Sequence, residues 1–233
     1  MKNFTFRVNG YEVEAKYDQF DIEKVYKPLL ERWHQIYKEK NQRIFISLAA
    51  CPGSGKSTFA SFLEYLFSTL DYDCKLQAIG MDGFHYNNDY LEKNHLIDEK
   101  GSQNTFDVKK LEEKIEQTRK ESCFWPEYSR QIHNPIENKI YVDGDIILIE
   151  GNYLLCDQLP WSQLQKLWDD CVFLYVDKEE LKPRLIQRKM KGNYSFKQAL
   201  DFYEQSDSKN IDYVLQHKVK ANVEIYLKEN KVD

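Results

Sequence analysis

The stretch RIFISLAACPGSGKST, residues 43–58, decides the fold. Its first half, Arg43–Ala49, is short, almost wholly apolar and rich in Ile and Phe, as expected of a strand covered on both faces. Its second half, Ala50-Cys51-Pro52-Gly53-Ser54-Gly55-Lys56-Ser57, follows the phosphate-loop pattern G-x-x-x-x-G-K-[ST] except that Ala50 replaces the first Gly. Gly53 and Gly55 let the backbone curl around Ser54, so that successive amides point at phosphate oxygens. The helix opening at Lys56 adds the partial positive charge of its N-terminus. Lys56 is placed to reach the β- and γ-phosphates, Ser57 to offer its hydroxyl to Mg2+, and Thr58 to touch a more distal phosphate. A ligand-free Gly-rich turn would have no use for the Lys-Ser pair. The pattern predicts a nucleoside triphosphate site.

Strand and helix alternate outward from this loop. Lys56–Leu70 reads as helix, Lys75–Met81 as strand, and Asp107–Glu121 as a charged amphipathic helix with Asp107 as N-cap. Asp145–Glu150 and Cys171–Val176 are further buried strands, with a short helix over Trp161–Asp169 between them. Helical stretches follow near 179–190 and 195–217, and Ala221–Leu227 reads as a last strand. Near-continuous apolar strands alternating with helices predict an α/β fold: three layers, a mostly parallel sheet and helices on both faces. Before the loop, residues 4–17 alternate around Asn9-Gly10, a hairpin signal. A helix over Asp21–Lys40 follows, with Pro28 predicting a kink or an interrupted start. Residues 1–42 are thus an N-terminal hairpin and helix packed on a domain spanning 43–233.

Composition narrows the class. The 233 residues carry 33 Lys and Arg against 38 Asp and Glu, a net charge of −5, which argues against a broad nucleic-acid-binding face. No apolar run is long enough to span a bilayer, and the first residues lack a signal core. Five scattered cysteines, none in a C-x-x-C pair, fit reduced thiols and no zinc site. These features predict a soluble cytoplasmic protein with neither a membrane nor a nucleic-acid partner. The aromatic content of 14% either marks a ring-lined pocket or, more simply, fills the core.

Two acidic residues close buried strands where ligands of open α/β sheets bind. Glu150, before Gly151-Asn152-Tyr153, stands where a magnesium-organising carboxylate belongs, although a strand-end Glu can also cap a helix. Asp82, in Met81-Asp82-Gly83-Phe84-His85, is the candidate base for an acceptor hydroxyl, or else an Asx-type turn residue. His85 is a substrate contact or a turn histidine. The base-reading N-K-x-D element of GTPases is missing, since Asn138-Lys139-Ile140-Tyr141 lacks the Asp.

The ordered set ACPGSGKS, MDGFHYNNDYL, NTFD, WPEYSR and IILIEGNYLL, with a later Arg-rich helix, resembles the superfamily of uridine kinases, phosphoribulokinases and bacterial pantothenate kinases. Within it, the chain is most similar to a poorly characterised nucleoside or nucleotide kinase-like branch, over about residues 43–226. The resemblance implies ATP and Mg2+, Asp82 as catalytic base, and Glu150 organising magnesium or substrate. It also implies an acceptor pocket from Pro126-Glu127-Tyr128-Ser129-Arg130, with Tyr128 and Arg130 as the contacts. Phe106 and Trp125 wall that pocket or pack in the core, and Asp107 belongs to the family's Y-D or F-D pair or caps its helix. Ser129-Arg130 replaces the S-H ending of pantothenate kinases, and the D-F form of uridine kinases is missing.

Lys182, Arg184, Arg188, Lys189 and Lys191 form a basic cluster near 182–194, either a solvated face or the lid that brings arginines onto a transferring phosphoryl group. Arg188 is the first candidate there and Arg184 the second. Asp207 and Asn210 match positions in the related branch without an assignable role. The expected activity is ATP-dependent transfer of phosphate to a hydroxyl of a small metabolite: a nucleoside, a pantothenate-like acid or a sugar. The competing expectation is a regulatory P-loop ATPase without a metabolite acceptor. The hairpin offers a contact for self-association, leaving a homo-oligomer open.

Overall fold

The computed structural model describes residues 1–8 and 10–227. Two antiparallel strands come first, β1 (Lys2–Val8) and β2 (Tyr11–Tyr17). Gly10 takes φ 84° at their turn, and Asn9 of the expected turn lies outside the described residues. A helical turn at Gln19–Asp21 and a π turn at Ile22–Tyr26 lead into α1 (Lys27–Lys40). Pro28 explains this interrupted start. It sits in the first turn of α1, where no amide donor is required, and the Lys27 amide bonds back to Ile22.

The remaining elements are β3 (Ile44–Ala50), α2 (Lys56–Ser68), β4 (Leu76–Gly80), α3 (Asn88–Lys93), α4 (Val108–Lys120), β5 (Cys123–Ser129), β6 (Asn134–Val142), β7 (Ile146–Gly151), β8 (Asp170–Tyr175), α5 (Lys178–Lys191), α6 (Phe196–Phe202), α7 (Ser208–His217) and β9 (Val223–Tyr226). Five strands form one parallel sheet in the order β4-β7-β3-β8-β9, with helices on both faces. The expected three-layer α/β architecture is what the chain adopts.

The period-2 alternation of β3 assigns its side chains to two cores. Ile44, Ile46, Leu48 and Ala50 meet Leu30 and Trp33 of α1 and Phe59, Phe62 and Leu63 of α2 on one face. Phe45 and Ala49 join Leu111 and Ile115 of α4 and Leu185 of α5 on the other. Full burial of each such side chain stabilises by roughly 1.5–3 kcal/mol, and it fixes the sheet edge that carries the site. The N-terminal segment shares the first core. Tyr17 stacks on Phe62 at 3.8 Å, and the buried Asp170 of β8 accepts from Arg32 Nε at 2.8 Å and Trp33 Nε1 at 3.2 Å. Much of the aromatic excess lies here, ring packed against ring.

Two features depart from the expected pattern. β5 and β6 form an antiparallel hairpin in a stretch whose sequence carries no strand signal. Pro126 and Pro135 interrupt its alternation, and the register shifts between Trp125 and Glu127. The long helix expected over 195–217 is α6, a π turn at Tyr203–Asp207, and α7.

Candidate active site

β3 delivers the chain to the phosphate loop at the carboxyl edge of the sheet. Ala50 is still a strand residue, paired with Leu174 and fully buried, so its methyl group packs in the core and not in the loop. Gly53 and Gly55 then take φ of 80° and 82°, the left-handed region that the expected curl requires. Gly55 is the N-cap of α2, which puts Lys56, Ser57 and Thr58 in its first turn. Ser54 is buried with an unpartnered Oγ, and Leu185 of α5 lies against Gly53, 2.8 Å from where a Cβ would stand. The loop and α5 are therefore in contact.

β7 supplies one carboxylate and the turn after β4 the other. Register places Glu150 beside Leu48 of β3 and Gly80 of β4, between the loop strand and the strand that leads to Asp82. The Ser57 hydroxyl donates to Glu150 Oε1 at 2.7 Å. Asp82 lies in a single 3-10 turn, Met81–Phe84, and its Oδ2 is 3.4 Å from Nη2 of Arg130. Its side chain stays 37% exposed and that of Arg130 31%, so the pair is open to solvent.

The electrostatics separate the two acids. Burial opposes ionisation of Asp82, but His85, Arg130, Lys56 and Arg188 outweigh it and hold its carboxyl below the ordinary range. Burial also pushes His85 toward the neutral form, so at neutral pH the lysine and the arginines keep Asp82 ionised. Burial raises the Glu150 carboxyl, with the charge of Asp82 adding to it against Lys56 and Ser57. His85 Nδ1 is 2.8 Å from the Asp82 carbonyl oxygen. A carbonyl only accepts, so Nδ1 carries the proton and Nε2 is left as an acceptor.

The acceptor-side residues converge. The His85 ring lies 3.8 Å from that of Phe106 and 5.0 Å from that of Tyr128. Burial pushes the Tyr128 hydroxyl up to about 12, so it is a neutral donor. Phe106 and Trp125 are core residues, and Asp107 caps α4 by accepting from the Lys110 amide at 3.0 Å. Sequence reasoning missed Lys100, whose ammonium stands 5.3 Å over the Tyr128 ring and 2.5 Å from the His133 carbonyl. No motif or periodicity marks that loop.

The basic cluster falls on α5, with Pro183 as its sixth residue. Arg184 pairs with Glu180 at 2.6 Å along its own helix. Arg188 is exposed, and Asp207, Arg130 and Asp82 are the charges that act on it. A cleft of about 610 Å³ lies between β1, α2 and the start of β4, and no candidate residue lines it. Among the described residues, one other grouping could hold a metal, His34, Asp73 and Cys74, but Lys38 already pairs with Asp73 at 2.5 Å. No helix among the described residues is long and apolar enough to cross a membrane.

Cys51 sits inside the loop, and burial pushes its thiol up to about 11 despite the nearby charge of Lys56. Its thiolate content at pH 8 is then about 10²-fold below that of an ordinary cysteine near 8.5. Cys51 is expected to resist iodoacetamide in the folded protein and to react on unfolding, as peptide mass spectrometry would read. Rapid labelling in the native state would show the loop to be less tightly packed.

Residues 46–222 match the family model described as an AAA domain. Over 223 residues the chain is 37% identical to the uncharacterized protein YggC of Escherichia coli K12, covering 95% of this chain and 94% of that one. It is 31% identical to a pantothenate kinase of Lactiplantibacillus plantarum over 72% of its own length and 62% of that protein. A solved structure from Silicibacter sp. TM1040, provisionally named a fructose transport system kinase, superposes with a TM-score of 0.77 at 28% identity. The match covers 84% of this chain and 98% of that one.

Proposed function

The chain belongs to the P-loop kinase family that these matches delimit, and on that premise we propose that it transfers the γ-phosphate of ATP to a hydroxyl of a small metabolite. The observation that carries this reading is Asp82, just past the carboxyl end of β4, with its carboxylate 3.4 Å from the Arg130 guanidinium. A switch that only bound and hydrolysed nucleotide would need no such acceptor side.

The amides of residues 53–58 and Lys56 hold the phosphates of ATP. Ser57 and Glu150, two oxygen donors in mutual contact, fit Mg2+, with Ser57 as ligand and Glu150 as ligand or orienting partner. When bound, the ion neutralises phosphate charge. Asp82 accepts the proton of the acceptor hydroxyl as its oxygen bonds to the γ-phosphorus, and the bond to the β-phosphate oxygen breaks to release ADP. Arg188 meets the charge on the equatorial oxygens. Tyr128, Arg130 and His85 Nε2 supply hydrogen bonds to a polyhydroxylated or anionic acceptor. Relatives named for pantothenate and fructose put a pantothenate-like acid and a sugar beside a nucleoside as acceptor classes. The proposed partner is that small molecule in the cytoplasm, neither nucleic acid nor membrane, and the proposed surface for self-association is the hairpin.

A thermal-shift screen of metabolites with a non-hydrolysable ATP analogue tests the acceptor side. Stabilisation by one metabolite class is expected, and stabilisation by nucleotide alone across the whole panel would contradict it. Replacing Glu150 by Gln should weaken ATP binding in Mg2+ by about 10- to 100-fold, as loss of an orienting partner does. With the metal chelated, titration calorimetry should find the two proteins alike; an equal loss with and without Mg2+ would remove Glu150 from the metal site.

A further inference from the structure

Between β4 and α4 the chain makes an excursion that starts and ends at one place. His85 and Phe106 form an antiparallel bridge, the Tyr86 amide donates to the Thr105 carbonyl at 2.9 Å, and the Asp107 amide donates to that of Phe84 at 2.8 Å. The returning arm is fastened to the core. Tyr153 Oη donates to the Gly101 carbonyl at 2.7 Å and Trp161 Nε1 to that of Gln103 at 3.1 Å. The outer part, residues 87–100 with α3, lies off the core, and Leu91 alone is buried among its described residues. A segment with so little buried apolar surface opens locally at low cost unless something else holds it.

What holds it is polar. Lys100 Nζ donates to the Asn88 side-chain oxygen, drawing the two ends of the outer part together. It also donates at 2.5 Å to the carbonyl of His133, in the turn of the β5–β6 hairpin. The Asn88 amide donates to Oδ1 of Asn134, the first residue of β6, at 2.9 Å. The same ammonium stands 5.3 Å over the Tyr128 ring. Both of its oxygen partners are neutral, and a half-buried cation costs free energy that its hydrogen bonds must offset. The acceptor-side groups belong to the two parts that Lys100 joins: His85 at the root of the excursion, and Tyr128 and Arg130 on the hairpin.

We propose that residues 87–100 are a gate over the acceptor side, and that Lys100 is the latch that closes it on the β5–β6 hairpin. The gate rests on the acceptor side given to the proposed kinase. With Lys100 bound to Asn88 and His133, excursion and hairpin form one wall. Released, they part and open the way to His85.

Hydrogen exchange of the whole protein, read by mass spectrometry, measures the opening. Diethyl pyrocarbonate, which modifies neutral imidazole, measures access to His85. Lys100→Met keeps much of the apolar stem and removes the donors. It should raise exchange in residues 87–100 and in the β5–β6 hairpin together by about tenfold or more, the size expected for hydrogen bonds from a charged group. Modification of His85 should quicken as well, while β3 and α2 exchange as in the wild type. Wild-type exchange in either segment, or an unchanged rate at His85, would overturn the proposal. If exchange rises in β3 and α2 too, the loss is global, and Asn134→Ala, which cuts only the second tie, decides. Joint loosening of the two segments with faster modification of His85 then supports the gate, and any other result overturns it. None of these readings needs ATP turnover, so a failed gate leaves the kinase reading in place, whereas that reading fails on ADP release that ignores every acceptor.

Discussion

Asp82→Asn should lower phosphoryl transfer by about 10²–10⁴-fold, the usual contribution of a positioned general base. The substitution keeps the size and polarity of the side chain but takes away the proton acceptor. Asp82 is held ionised by surrounding cations, so the wild-type base is in its active form across the ordinary working range. ATP affinity should stay near the wild-type value, because phosphate binding falls to the loop and Lys56. The loss should therefore appear in kcat, with little change in KM for ATP. Removing one negative charge from a cleft that also holds Lys56, Arg130 and Arg188 should, if anything, tighten ATP binding. Normal turnover in this variant would shift the proton to another acceptor, and His85 Nε2 would be the next to test.

Gly83→Ala carries the second large effect, and its cause is steric. A Cβ at Gly83 would stand 2.2 Å from the Pro126 carbonyl oxygen and 2.6 Å from its carbon, both backbone atoms that cannot step aside. The Met81–Phe84 turn must then move away from β5. That motion separates Asp82 from Arg130, which lies beyond the end of β5 on the same hairpin. A displacement near an ångström is enough to cost about 10²-fold in rate. The strain itself should destabilise by about 1–3 kcal/mol, read as a lowered midpoint of urea unfolding. ATP binding should persist. A variant with wild-type turnover and stability would show that the turn and β5 are not in this contact.

Residues in continuous two-sided burial were the most legible. Arg43–Ala49 and Asp145–Glu150 read as strands because both faces of the sheet are covered, and each lies within a residue or so of its observed position. Of the candidate site, the positions of two acids were legible: Asp82 and Glu150 stand at strand ends on the carboxyl edge, where open sheets bind ligands. The β5–β6 hairpin was hidden because its prolines and register shift break the alternation. The π turns at Ile22–Tyr26 and Tyr203–Asp207 were hidden because one extra residue slips the helical phase without removing an apolar position. The contact of Leu185 with Gly53 joins residues far apart in sequence, so no local pattern could announce it.

The central claim is that ATP gives its phosphate to a metabolite hydroxyl at Asp82. The most direct measurement is ADP release by wild-type protein and Asp82→Asn across a panel of nucleosides, pantothenate-like acids and sugars, with phosphorylated products identified by mass spectrometry. Acceptor-dependent ADP release matched by one phosphorylated product, lost in the variant, is the predicted result. ATP hydrolysis that ignores every acceptor, yields phosphate alone and survives Asp82→Asn would contradict the claim and point to a nucleotide switch.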